Sequence, residues 1–278
     1  MRQYDSAFGL GVGCGVSISM RDAGVQYLSL PFDWIGCNDP VRMAGIVAGH
    51  FKDWMRFEDL EITGVRIASQ SAHFVVKNCR TGLLAPHDFS AYSSLKNQYS
   101  AFAEKMSRRI ARLESLLSSA KAVLLVIVEN PQRPGCLADG DLERTRGILA
   151  AAYPNAVFDL VCFQHENGVR GTCDHRVSER IVRVGCGLQQ VSHGVVAHTY
   201  EHEPIIDWLR ANVSVDDPRT EEEVRSFAEL KSQQHEDRFG SGGPLARLIA
   251  RLQFRAYKKL QRSLERKGVI PGERPMAL

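Results

Sequence analysis

No run of apolar residues in this chain approaches the ~20 needed to cross a bilayer, the longest being the nine or so around Ala122 to Val128. The opening Met1-Arg-Gln-Tyr-Asp-Ser carries no hydrophobic signal segment, so a secreted protein is not expected. No Cys-x-x-Cys pair occurs among the seven cysteines, and their odd number and irregular spacing fit free thiols in a reducing compartment. A cytoplasmic protein is the expectation. A net charge of only +3 argues against a specific nucleic-acid partner. The glycine-rich stretch Gly9-Leu-Gly-Val-Gly-Cys-Gly15 lacks a Gly-Lys-Ser/Thr ending, and its spacing is wrong for a dinucleotide fingerprint. His198-Thr-Tyr-Glu-His202 lacks the His-Glu pair of a zinc protease motif, and Cys173, His175 and Cys186 are too loosely spaced for a metal centre. Neither metal nor cofactor is expected, and internal repeats are absent.

What is present is an ordinary globular composition, 44% hydrophobic and 24% charged over 278 residues, enough to bury a full core. Short apolar runs alternate with amphipathic stretches, the pattern of βα units. The expected fold class is therefore α/β, a mostly parallel sheet flanked by helices. Ala122–Val128 reads as a central parallel strand because it is apolar on both faces. Glu129 and Asn130 follow it as a polar breaker, then a helix from Asp141 to Ala152 and strands from Ala156 to Phe163 and from Glu179 to Val184. Ser94 to Ser119 reads as one long helix, with Leu95, Phe102, Met106, Ile110, Leu113 and Leu117 on one stripe. Its other face carries Lys105, Arg108, Arg109 and Arg112, either a solvated basic face or an anion-binding surface.

This domain is expected over residues 1–213, followed by a helical, basic appendage over 214–278. The appendage has a polar stretch from Asp216, a break at Gly240 to Pro244, and a basic amphipathic helix from Leu245 to Lys267. Between Arg247 and Lys267 that helix holds eight Lys or Arg against one Glu265. Such a helix suits peripheral contact with the anionic inner face of a membrane, docking on a partner, or packing on its own domain. The end from Pro271 reads as disordered.

Phe8-Gly-Leu-Gly-Val-Gly-Cys14 is a strand-like run that breaks on glycines and delivers one cysteine at a helix start. Backbone N–H groups and the helix dipole favour an anion at that place, which suits a thiolate nucleophile. The plain alternative is a buried cysteine beside a glycine turn. A cysteine nucleophile needs a base and the base an orienting group. His87 stands out in Leu83-Leu-Ala-Pro-His-Asp-Phe89. Its neighbour Asp88 is poorly placed to orient it, because adjacent residues of an extended chain point to opposite sides. Asp33, set between two aromatics in Leu28-Ser-Leu-Pro-Phe-Asp-Trp34, is a candidate for a buried carboxylate that must find a partner, or else a helix cap.

Taken in order, Gly9-Leu-Gly-Val-Gly-Cys14, Ser29-Leu-Pro-Phe-Asp-Trp34, His87-Asp-Phe89, the helix around Lys105 to Arg112 and the strand Val123 to Val128 resemble a bacterial family. It is the family labelled "putative papain-like cysteine peptidase", domain of unknown function 1796. The resemblance spans roughly residues 4 to 200, with Gly9 standing where the family's opening motif usually has a serine. It implies Cys14 as nucleophile, His87 as base, and Asp33 or Asp88 as the acidic partner. The expected reaction is acyl transfer, with N–H groups near Gly13 to Gly15 holding the oxyanion and Arg108 and Arg109 as anion-binding candidates. Members are similar to proteins found among surface-polysaccharide genes. That suggests as an alternative a transferase or hydrolase of carbohydrate or lipid-linked substrates in which Cys14 is only structural. A non-enzymatic protein binding a partner through the 216–267 arm is the third reading. Substrate and oligomeric state are left open by the sequence.

Overall fold

The computed structural model describes residues 1–11, 14–68, 71–129, 136–188, 190–192, 198–200, 202–222 and 224–225. In chain order the strands and helices begin with β1 (Arg2–Tyr4), β2 (Ser6–Gly9), α1 (Cys14–Asp22) and α2 (Pro40–Ala48). Next come β3 (Leu60–Ala68), β4 (Ser71–Asn78), β5 (Leu84–Ser90), α3 (Leu95–Ser119), β6 (Ala122–Val128) and α4 (Asp139–Ala152). The chain continues through β7 (Val157–His165), β8 (Thr172–Ser178), β9 (Ile181–Cys186), β10 (Gln190–Ser192), β11 (His198–Tyr200), α5 (Glu203–Asn212) and β12 (Val213–Val215).

The main sheet has the order β2-β6-β7-β9-β8, with β2, β6, β7 and β9 parallel and β8 antiparallel at the edge. The strand expected at its centre, β6, is instead second from the edge, between β2 and β7, and its apolar residues alternate between two cores. Val123, Leu125 and Ile127 face α2, α3 and α4 together with Phe8, Phe158 and Leu160. Leu124, Val126 and Val128 face α1 and α5 together with Ala7, Val161 and Phe163. With both faces covered, neither side of β6 tolerates a polar residue. The expected α/β class therefore holds, but the sheet is mixed, and a second sheet, β3-β4-β5, is an antiparallel meander. β1 pairs in parallel with β12, and β10 with β11 antiparallel.

The long helix begins one residue inside the expected limit, because Ser94 caps it by accepting from the Asn97 amide. Between α2 and β3, His50, Phe51, Asp53 and Met55 all have left-handed φ. The mutually tilted rings of Phe32, Phe51 and Trp54, with centroids 5.1 to 5.7 Å apart, pack this segment together. Among the described residues no helix is long and apolar enough to cross a membrane. The helix expected from Leu245 to Lys267, with its membrane contact, lies outside the described residues.

At the amino end of the sheet, Asp159 on β7 accepts from Tyr4 at 2.9 Å and pairs with Arg2 and Arg180, each at 3.1 Å. Burial, reinforced by this carboxylate, pushes the Tyr4 phenol up to about 12. A phenol raised in the folded state stabilises below its ordinary pKa, and that stability is lost as pH rises through the folded value. Chemical denaturation should therefore show a stability loss between about pH 10 and 12 that is absent in Tyr4→Phe.

Candidate active site

α1 starts at the carboxyl end of β2, on the rim where open parallel sheets gather ligands. Cys14 is its first residue and is partly exposed. The close approach of helix to strand depends on Gly9, where a Cβ would stand 2.6 Å from Val16 Cγ1. That contact accounts for glycine in this chain at the position where the resembled family's opening motif usually has a serine. The first four N–H groups of a helix have no intrahelical acceptor, so the turn beginning at Cys14 presents donors to the rim. Gly13, expected among those donors, lies outside the described residues; Gly15 is within α1.

One stripe of α1 runs through Cys14, Ser17 and Arg21, and its lower two members bind Asp33. Ser17 Oγ donates to Asp33 at 3.1 Å and Arg21 forms an ion pair with it. Gln26 Nε2 donates at 2.8 Å and the Leu30 amide at 2.9 Å. Asp33 is 3% exposed, so this set of donors is what allows its charge to be buried. Among the described residues its bonds go to these four groups and to no imidazole.

Trp34, next in the chain, meets His87 edge to face, with ring centroids 5.8 Å apart. An antiparallel bridge between Gly36 and Leu84 brings the two together, with N···O distances of 2.7 and 2.9 Å. His73 of β4 lies 6.4 Å from His87, ring to ring. Asp88 turns the other way and pairs with Lys105 of α3 at 2.5 Å. Lys105, Arg109 and Arg112, at i, i+4 and i+7, line the side of α3 that faces this region. Arg112 donates to the Ser29 carbonyl at 2.6 Å, while Arg108 sits on the exposed side and pairs with Glu104. The structure thus separates two neighbouring arginines that the sequence grouped together.

The centre of the rim is filled. Glu129 is 1% exposed, accepts from the Leu137 amide at 2.9 Å, and lies 3.9 Å from Arg183, which also binds Asp139 at 2.6 Å. Four of the other thiols have their pKa raised. Burial pushes Cys37 and Cys162 up, Cys186 goes up to about 12 for the same reason, and Cys79 is raised by its hydrogen bond to Glu61. The Cys14 thiol makes no hydrogen bond among the described residues.

One residue near Cys14 was weighed in the sequence only as a metal ligand. His202, just before α5, lies over Gly15, where a Cβ would meet its Cε1 at 2.7 Å and Nε2 at 2.9 Å. Its Nδ1 is enclosed and has no hydrogen-bond partner. Burial holds the ring below its ordinary pKa, against the opposing pull of Glu203 and Asp22. The one sequence trace of this contact is a glycine inside the first turn of a helix, where a side chain would ordinarily be favoured. Among the described residues no cluster of His, Cys, Asp and Glu could hold a metal ion.

Residues 5–133 match the family model described as "Putative papain-like cysteine peptidase (DUF1796)". An uncharacterized protein of Acanthamoeba polyphaga mimivirus is 26% identical over 159 residues, which cover 52% of this chain and 70% of the viral protein. The likeness thus reaches a virus, where the sequence had suggested a bacterial family. No solved structure matches the chain.

Asp33→Ala leaves Arg21, Ser17, Gln26 and the Leu30 amide without their acceptor and should cost about 3 kcal/mol, read as a shift of the urea midpoint. His202 resists protonation in the folded state, so its contribution is intact above the ordinary imidazole pKa and falls as pH drops below it. Thermal melts between about pH 7.5 and 5 should lose part of their acid slope in His202→Gln.

Proposed function

We propose that this protein is a cysteine-dependent acyl-transfer enzyme of the hydrolase type, with Cys14 as nucleophile and His87 as base. One observation carries the reading. Cys14 heads the helix stripe that Asp33 anchors through Ser17 and Arg21, and the residue after Asp33 touches the His87 ring. The match of residues 5–133 to a cysteine peptidase family supports it.

In this mechanism His87 takes the thiol proton and the thiolate attacks the acyl carbon. The carbonyl π pair moves onto oxygen, where N–H groups of Gly13 to Gly15 receive it. Collapse of the tetrahedral adduct breaks the bond to the leaving amine or alkoxide, which takes the proton from His87. A water molecule, deprotonated by His87, then attacks the thioester; the second collapse releases the acid and returns the proton to the thiolate. Asp33 acts as a positioning residue, since it fixes the rotation of α1 and the place of Trp34 without touching the substrate. Asp88, paired to Lys105, positions β5 against α3.

The test is iodoacetamide labelling of each cysteine against pH, read by mass spectrometry on the native protein and on His87→Ala and His202→Ala. Cys14 should react fastest near neutral pH and lose that advantage in His87→Ala. On any ester or peptide the enzyme accepts, His87→Ala should lower turnover on the order of 10²–10⁴-fold. A slow Cys14, or one indifferent to His87, would sink the reading. Loss of the advantage only in His202→Ala would move the base to His202.

A further inference from the structure

Four cations and two carboxylates meet where α3 passes the turn that holds α1. Asp33 has its counter-charge in Arg21 and Asp88 has its own in Lys105. Arg109 lies close enough to both carboxylates to feel their fields, yet its Nη1 is enclosed and makes no hydrogen bond. The second oxygen of Asp88, Oδ2, is enclosed and unbonded as well. Arg112 gives one N–H to a neutral carbonyl. Two partly buried guanidinium groups are therefore left without a counter-anion of their own. Burial pulls Arg109 below its ordinary range; Arg21 and Arg112 add to this, and Asp33 and Asp88 oppose it. A native protein seldom leaves such a donor enclosed and unused without a functional reason.

We propose that Arg109 and Arg112 form an oxyanion-binding subsite beside Cys14, which receives a carboxylate or phosphate group of the substrate. The planar guanidinium fork suits both anions, and the surplus of positive charge supplies the attraction. Placement supports a role at the same centre. Arg109 lies within electrostatic range of Asp33, which accepts from Ser17, and Ser17 lies one helical turn below Cys14, about 4.5 Å along the axis. The identity of the attacked substrate rests on the acyl-transfer reading, whereas the anion site does not.

Two alkylating reagents of similar size separate the two ideas. Iodoacetate carries a carboxylate and iodoacetamide does not, and both displace iodide with the same thiolate sulfur. Relative to N-acetylcysteine amide in the same buffer, Cys14 of the intact protein should prefer iodoacetate by about tenfold, with saturation. Inorganic phosphate and acetate, compared at equal ionic strength with chloride, should suppress that preference and raise the melting temperature, and the more effective of the two names the oxyanion class. Arg109→Met should abolish both effects. Arg109→Lys, which keeps the charge without the fork, should retain part of them and guards against misfolding of the first variant. No preference for iodoacetate together with no stabilisation by either anion overturns the subsite. Stabilisation that depends on Arg109 but leaves the reagent preference unchanged overturns its service to Cys14. A Cys14 slow toward both reagents defeats the acyl-transfer reading alone, because Arg109-dependent stabilisation by phosphate or acetate would still support the anion site.

Discussion

A buried carboxylate must be met by donors at short range, because its desolvation costs several kcal/mol if they are missing. At Asp33 the donors come from separate pieces of chain: Ser17 and Arg21 from α1, Gln26 from the loop after it, and Leu30 from the turn before Asp33. The same charge is felt by Arg109 on α3. A helix free to rotate about its axis could direct its first side chain anywhere along the rim. Bonds at two successive turns of α1 remove that freedom. The direction in which Cys14 faces is thus set by electrostatics one and two turns away, the thiol itself making no hydrogen bond among the described residues.

The sheet contributes a second constraint. Arg183, Glu129 and Asp139 close the middle of the rim with an ion-pair network, and Arg183 also donates to Gln164 and to the Leu137 carbonyl. Open α/β sheets often place ligands over central strands. Here α1 starts at the carboxyl end of the edge strand β2, and the Trp34 turn meets β5 through the Gly36–Leu84 bridge and the His87 ring. In the antiparallel meander, β4 and β5 bring His73 and His87 together, with His87 against Trp34.

The parts of the fold that were legible in the sequence are those whose burial is two-sided or strongly periodic. β6 was readable because alternate residues enter two different cores, leaving an unbroken apolar run. α3 was readable from one apolar stripe and a serine cap. β8 was not, because Thr172 to Arg176 are all exposed and carry no alternation. The meander escaped notice for a related reason: register shifts in both of its pairings break the period that a strand pattern depends on. Within the candidate site, the residue types at Cys14, Asp33 and His87 announced themselves. Their partners did not, since Asp33 binding to Ser17 and Arg21 is a tertiary fact. His202 was hidden more deeply, for its proximity to Gly15 is created by the packing of α5 on α1.

The pairing of β1 with β12 joins Arg2–Tyr4 to Val213–Val215, strands drawn from opposite ends of the described chain. α5 leads directly into β12, and through His202 and Arg210 it braces the first and last turns of α1. Contacts between such distant stretches form late, since the loop between them must close before they contribute any stability. During synthesis the segment bearing Cys14 leaves the ribosome well before α5, so α1 has to wait for nearly two hundred further residues before this brace exists. α1 is therefore braced by a segment nearly two hundred residues further along, and a product that stops short of α5 carries the Cys14 thiol on a helix without that brace.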